Sequence, residues 1–265
     1  MINHSAVVET AAGRYFVKWN DTPLPHLFEC EADGLRRLKS ANALRVPEVI
    51  AFRDDITPSY LVLEYVEPRE PRRADLFARR FGEGLAKLHR EQISPDSRFG
   101  LDSDNYLGVF HQKNAWTERW VDFYRECRLM PQIALARARG RLPAHRERML
   151  MSLADRLDDL LGDMPAQPVL IHGDLWSGNF LCAGEEAVIV DPAVYYGDRE
   201  IEMAFVLLFG GFPAGFLEAY QSAYPLDTGF RYRMPLHQLY ALLVHLNQFG
   251  EQYGADVERV CKMYA

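Results

Sequence analysis

The 265-residue chain is short of cysteine, of positive charge and of long apolar runs, and each shortage removes a class of function. Its four cysteines, Cys30, Cys127, Cys182 and Cys261, are scattered, with no C-x-x-C pair and no metal-ligand spacing to the eight histidines. A disulfide scaffold and a structural zinc site are therefore not expected, whereas reduced thiols in a cytoplasmic protein are. The formal net charge of −7 argues against a dedicated nucleic-acid surface. The longest uncharged run, 203–217, is interrupted by Gly210-Gly211 and Pro213, so no membrane span is expected. The opening MINHSAVVET has neither a basic start nor a long apolar core and does not read as a secretory signal. Internal repeats and low-complexity tracts are missing too. With 48% hydrophobic and 25% charged residues, the composition is that of a globular protein long enough for one large or two modest domains.

What is present concentrates between Val169 and Asp191, VLIHGDLWSGNFLCAGEEAVIVD. Val169-Leu170-Ile171 and Val188-Ile189-Val190 have the β-branched richness of buried strands, and a polar segment with His172, Asp174 and Asn179 lies between them. The spacing His-x-Asp-x-x-x-x-Asn, followed past a hairpin by an Asp at a strand end, is similar to the catalytic and metal-binding loops of protein-kinase-like phosphotransferases. In that chemistry Asp174 accepts the proton of an attacking hydroxyl, while Asn179 and Asp191 hold magnesium on a nucleotide. Singly, a cap, an Asx turn and a strand end would account for the three residues. Jointly, at this spacing, they point to phosphoryl transfer.

Upstream, SAVVET and RYFVKWN read as two strands joined at Ala11-Ala12-Gly13, with Lys18 on the face opposite Val17. The helical pattern over 26–40 carries Leu27, Leu35 and Leu38 with Glu31 inside the apolar stripe. That placement suggests a strand-lysine to helix-carboxylate pair orienting Lys18 toward phosphates, with Glu29 as fallback partner. Two more strands are expected at 45–50 and 59–66. The second runs into EPREPRR, a linker between a β-rich and a helix-rich half, where backbone groups of Glu64, Tyr65 and Val66 would meet an adenine edge. A helix over 74–90 ends at His89, read as a cap or structural histidine. The stretch 94–113 reads as a long unstructured loop of a length that suggests function. Helices are expected over 116–139 and 144–161, their arginines (Arg119, Arg125, Arg128, Arg137, Arg139, Arg141, Arg146 and Arg148) read as solvated. A further helix carries Leu236, Leu239, Leu242, Leu243 and Leu246. The expected fold is α+β and two-lobed, with a small, curtailed antiparallel sheet in an amino-terminal lobe (1–67) and a larger, mostly helical carboxyl-terminal lobe (68–265).

The segments GRYFVK, LFECEADGL, RVPEVI, LVLEYVE, LAKLH, FGLDSDNYLG with QKNAW, HGDLWSGN, IVDPAVYYGDREIEMA, FGGFP and LVHLNQFG together resemble the fructosamine (ketosamine-3-) kinases, in the aminoglycoside-phosphotransferase-like branch of the kinase fold. The resemblance runs nearly end to end. It implies ATP- and magnesium-dependent phosphorylation of a sugar hydroxyl on ketosamines or glycated lysine, and a role in deglycation repair. Kinases of other amino alcohols, such as aminoglycosides or choline, share the phosphotransfer parts, and a nucleotide-binding pseudokinase is the alternative from another class. By resemblance Asp174 matches the base, Asn179 and Asp191 the metal ligands, Lys18 and Glu31 the nucleotide pair, and Glu64, Tyr65 and Val66 the hinge. Trp116, Tyr195, Asp198 and His245 are candidate substrate contacts by position. Two departures stand out. Residues 1–17 contain one glycine, Gly13, where the family has another strand and a Gly-rich phosphate loop, so either the start lies upstream or that lid is missing. Glu202 stands where Asp is expected and is assigned the same helix-start role.

Overall fold

The computed structural model describes residues 3–22 and 24–265. Strand β1 (His4–Thr10) pairs antiparallel with β2 (Gly13–Asn20) around the Ala11-Ala12 turn. Gly13, at φ +138, supplies the backbone conformation that L side chains rarely adopt. After helix α1 (Leu27–Ser40), strands β3 (Val49–Arg53) and β4 (Ser59–Glu64) complete a four-stranded sheet in the order β1-β2-β4-β3. β4 shows the period of two that half-buried strands require, with Ser59, Leu61 and Leu63 buried and the residues between them less so. Phe16 and Lys18 lie directly across from Leu63 and Leu61, so the lysine stands on the face covered by α1. That helix buries Phe28, Ala32, Leu35 and Leu38.

The strand expected at 45–50 begins only at Val49. Pro47 has no N–H to give a ladder, and the preceding residues instead reach the other half of the molecule: the Ile189 N–H donates to the Arg45 carbonyl (3.0 Å).

The chain leaves β4 and enters α2 (Ala74–Glu91). The supposed unstructured loop that follows contains a hairpin, β5 (Asn105–Leu107) and β6 (Phe110–Gln112). Side-chain amides tie it down: Asn105 donates to the Val194 carbonyl (2.8 Å), Gln112 to Asn105 Oδ1 (2.9 Å) and to the Ala193 carbonyl (3.1 Å). The helix expected over 116–139 is divided into α3 (Trp120–Phe123), a π-helical turn (Tyr124–Leu129) and α4 (Met130–Ala138). Pro131 cannot donate to the Cys127 carbonyl four residues back. The Arg128 guanidinium does so instead (2.9 Å). Helices α5 (Ala144–Asp155) and α6 (Leu157–Leu161) follow.

Two of the arginines expected in solvent are in the interior. Arg128 is 0% exposed, bonded to the Lys113 carbonyl (2.6 Å) and Asn114 Oδ1 (2.9 Å), with its guanidinium 3.8 Å from the Tyr195 ring centroid. Arg146, also buried, is held by Glu251 and Glu258. Counting charge along a helix does not show which arginine has carbonyls and aromatic faces waiting for it.

Strand β7 (Val169–Ile171) precedes the polar segment, and β8 (Phe180–Ala183) and β9 (Glu186–Ile189) form the hairpin after it. A short strand, β10 (Tyr195–Gly197), returns to pair with β7. Helices α7 (Arg199–Phe209), α8 (Phe216–Ala223), α9 (Phe230–Phe249) and α10 (Gly254–Met263) complete the helical lobe. All five periodic leucines of α9 are buried. No helix among the described residues is long and apolar enough to cross a membrane.

Candidate active site

The ends of β7 and β9 converge because His172, 0% exposed, joins them. Its Nε2 donates to the Val190 carbonyl (2.9 Å) and its Nδ1 faces the Asp174 N–H (3.3 Å). Burial lowers the imidazole's pKa, which suits this neutral, one-donor tautomer. Gly173 between them, at φ +82, approaches the Ala193 carbonyl so closely that a Cβ would lie 2.1 Å from its oxygen. No side chain fits there.

Asn179 donates from Nδ2 to the Asp174 carboxylate (2.9 Å) and to the Asp174 carbonyl (2.8 Å). Its amide oxygen is thereby oriented away from Asp174. Burial pushes the Asp174 carboxyl up to about 8, against the Asn179 amide, which favours its charged form. Asp191 is a non-glycine residue at φ 56, a left-handed conformation that turns its side chain back toward Lys18. Lys18 Nζ lies 2.8 and 2.9 Å from the two Glu31 oxygens and 2.8 Å from Asp191 Oδ1. Although burial opposes its charge, these two carboxylates hold Lys18 above its ordinary pKa, while burial raises Glu31 against the attraction of Lys18. Glu29, the fallback, is turned away and pairs with His26.

Two cavities meet at this loop. The first, of about 690 Å³, is lined by Lys18, Glu31, Glu64, Tyr65, Val66, Asn179 and Asp191 among others, so it collects the lysine pair, the hinge and both candidate metal ligands. Glu64 is fixed there by Arg45 (2.8 Å) and by the Glu48 N–H (3.1 Å). The second, of about 410 Å³, lies between the loop, α7 and α9, with Tyr195, Phe205, Phe209, Tyr240, His245 and Phe249 in its wall. Gly108, Asp174 and Trp176 border both. A carboxylate at such a junction can accept the proton of a hydroxyl bound on one side while phosphate is offered from the other.

The candidate substrate contacts separate. His245 and Tyr195 line the second cavity; Tyr195 is buried against Arg128, and the His245 ring lies 4.6 Å from that of Phe209. Trp116 borders neither cavity, and its ring centroid lies 6.0 Å from that of Tyr196, beneath Arg98. Asp198 is no ligand contact. Buried at 3% exposure, it caps α7 by accepting the Glu200 N–H (2.8 Å) and the Gln167 N–H (3.1 Å). The helix-start role assigned to Glu202 therefore belongs to Asp198. Glu202 instead accepts the Gly173 N–H (2.8 Å) and bonds His89 Nε2 (2.8 Å), tethering the loop to α2. His89 is structural, its other nitrogen on the Tyr220 hydroxyl (2.8 Å).

Lining residues not singled out from the sequence include Trp176, Phe205, Phe209, Tyr240, Phe249 and Tyr253. Trp176, 43% exposed, lies with its ring over Gly178, where a Cβ would come within 2.3 Å of it; its place immediately after Asp174-Leu175, beside a candidate base, is the signal the sequence carried.

The fit of a divalent cation rests on donor chemistry. Among the described residues no cluster of three or more His, Cys, Asp or Glu side chains forms an all-protein cage. Asn179 and Asp191, side by side in a cavity large enough for a nucleotide, suit magnesium, which is held by one or two protein ligands together with phosphate oxygens and water.

Comparison with known proteins agrees across three levels. The model of the fructosamine kinase family matches residues 1–264. A probable ketoamine kinase of Enterococcus faecium is 39% identical over 264 residues, covering 99% of this chain and 92% of the relative. The crystal structure of a candidate fructosamine-3-kinase from Thermobifida fusca superposes with a TM-score of 0.89 at 35% identity, covering 99% of this chain and 90% of that one. An ADP-bound aminoglycoside phosphotransferase, with a TM-score of 0.64 at 14% identity over 98% of this chain and 89% of that one, shares the two-lobed fold.

Proposed function

Because this chain belongs to the fructosamine kinase family, we propose that it phosphorylates a sugar hydroxyl of ketosamines with ATP and magnesium, using Asp174 as its base. The observation that carries the reading is the position of Asp174 on the border of two cavities, with Lys18, Asn179 and Asp191 on one side and the aromatic wall on the other.

The nucleotide takes the larger cavity, its adenine edge against the backbone of Glu64 to Val66 and its α- and β-phosphates at Lys18, which Glu31 holds in place. Asn179 and Asp191 would hold magnesium, which would supply positive charge against the phosphates. The acceptor hydroxyl points from the smaller cavity toward Asp174. Its oxygen bonds to the γ-phosphorus, its proton passes to the Asp174 carboxylate, and the bond from the γ-phosphorus to the β-bridging oxygen breaks to release ADP. Asn179, by donating to Asp174, keeps that carboxylate aimed and its second oxygen available. Tyr195 and His245 stand where the acceptor's sugar and amine would pass. Gly173 stands between His172 and Asp174, where phosphorylation-regulated kinases carry an arginine, and only a short turn follows Asp191, so constitutive activity is expected.

The test is ADP release measured in parallel with a fructosamine, a ribulosamine, an aminoglycoside and choline. Turnover of the ketosamines supports the assignment. Preference for either of the others transfers the site to a different acceptor, and no turnover with any leaves a nucleotide-binding pseudokinase.

A further inference from the structure

Arg128 is a buried cation without a carboxylate partner among the described residues, and its bonds set the direction of a polar chain that reaches both cavities. A guanidinium only donates, so the Asn114 atom 2.9 Å from Arg128 is the amide oxygen, and Asn114 Nδ2 faces Asn105 Oδ1 (3.0 Å). Asn105 Nδ2 then donates to the Val194 carbonyl (2.8 Å). Gln112 Nε2, which also donates to Asn105 Oδ1 (2.9 Å), gives its second hydrogen to the Ala193 carbonyl (3.1 Å). Its oxygen is left to accept, and the Tyr240 hydroxyl donates to it (2.8 Å). No amide in this chain can turn over without setting two acceptors face to face.

Gln112 is the node of the chain. It bonds Tyr240 in the wall of the smaller cavity, Asn105 in the lining of the larger one, and the turn that follows Asp191. That turn is gripped from three sides. The two amides hold the Ala193 and Val194 carbonyls, and the His172 carbonyl accepts the Ala193 N–H (2.9 Å). Pro192 packs on α1, where a Cβ added to Gly34 would lie 3.2 Å from Pro192 Cγ. Asp191 itself stands at φ 56, a left-handed conformation that a non-glycine residue keeps only where its surroundings enforce it.

We propose that Gln112 is a positioning residue for phosphoryl transfer: by fixing the 192–194 turn it keeps Asp191 in the left-handed conformation that aims its carboxylate into the nucleotide cavity. Without the Gln112 donation the Ala193 carbonyl is released, and Asp191 relaxes toward an ordinary backbone, taking its carboxylate away from Lys18 and from the place assigned to magnesium. The inference rests on the metal role proposed above for Asp191 and adds the side chain that holds it there. Tyr240 contributes at one remove. Its hydroxyl fixes the Gln112 oxygen, so a residue of the acceptor wall acts on the metal side without lining the nucleotide cavity.

The experiment is calorimetric titration of ADP, with magnesium and with chelator, into the native protein and into the variants Gln112→Met and Tyr240→Phe. Partial unfolding lowers the number of sites titrated and leaves their Kd alone, so a merely structural role does not move this readout. Gln112→Met should weaken magnesium-ADP by about 5- to 30-fold, the cost of restoring a left-handed backbone on binding, and should not weaken ADP in chelator. Tyr240→Phe should weaken magnesium-ADP by about 2- to 5-fold, as the loss of one hydrogen bond to Gln112 implies. The double variant should bind no more weakly than Gln112→Met, because Tyr240 acts through Gln112. Unchanged magnesium-ADP affinity in Gln112→Met overturns the inference, as does equal weakening with and without the metal. If Gln112→Met does not fold, Tyr240→Phe decides by the same comparison. A native protein that binds ADP equally with magnesium and with chelator removes the metal role of Asp191 and this inference with it.

Discussion

Replacing Asp174 with Asn should abolish most turnover and at the same time stabilise the protein increasingly as pH rises. Burial holds the Asp174 carboxyl up to about 8, from an ordinary value of 3.8. A carboxyl whose folded pKa is raised contributes stability that is fully present below the unfolded pKa and lost as pH climbs through the folded one, here between about 4 and 8. Each pH unit in that window costs the native enzyme about 1.4 kcal/mol for a fully desolvated group. From pH 5.5 to 7.5 the full effect is about 2.7 kcal/mol. Because Asp174 is only half-buried at the cleft, water reduces this toward about 1.4 kcal/mol. The variant does not titrate, and its amide oxygen can still accept from Asn179. Its melting temperature relative to the native enzyme should therefore rise by roughly 3 to 10 °C across those two units, at about 2 to 4 °C per kcal/mol. The assay is a pair of thermal melts in chelator at each pH, with turnover measured alongside and expected to fall about 10²- to 10⁴-fold. A stability difference that is the same at both pH values would show that the carboxyl is not held above its ordinary range. Near-native turnover in the variant would remove Asp174 from the chemistry.

Other perturbations separate the remaining parts. Magnesium-ATP, but not ATP with chelator, should stabilise the protein by about 2.7 kcal/mol at a hundredfold excess over its Kd, and the absence of any shift in thermal melts would point to a scaffold. Asp191→Asn should raise the magnesium concentration needed for half-maximal rate, measured by titration; an unchanged requirement would take Asp191 out of the metal site. Glu202→Ala leaves His89 and the Gly173 N–H without their buried carboxylate and should cost about 3–5 kcal/mol in denaturant unfolding, whereas a loss below about 1 kcal/mol would mean the tether carries little.

The cavity proposed for the nucleotide was legible in the sequence as a cluster of side chains because one continuous segment makes most of it. From His172 to Asp191 the chain runs down one strand, round a loop and back along a hairpin, so spacing in sequence translates into spacing in the cavity. Lys18 and Glu31 were readable for a related reason: a period of two on β2 and an apolar stripe on α1 fix which side chains face each other. What could not be read were interactions between distant segments. The hairpin at 105–112 depends on amides reaching the Ala193 and Val194 carbonyls, and the π turn at 124–129 depends on where the Arg128 guanidinium finds acceptors. Neither leaves a periodicity to detect.

The cavity proposed for the acceptor shows the same division from the other side. Its wall draws on the β5–β6 hairpin, the loop after β7, α7 and α9, which are distant in sequence, so no local spacing announces it. Residue type is a poor guide there, as two aspartates demonstrate. Burial pushes both carboxyls up, Asp174 to about 8 and Asp198 to about 7. Asp198 commits both oxygens to the N–H groups of Glu200 and Gln167 and is thereby a helix cap. Asp174 gives one oxygen to Asn179 and borders both cavities. The capacity to act on a ligand thus follows from which lone pairs the fold leaves unspent. By the same accounting, acceptor preference in this chain should change through substitutions on α7 and α9 and at Trp176, while Asp174, Asn179 and Asp191 set whether phosphoryl transfer occurs.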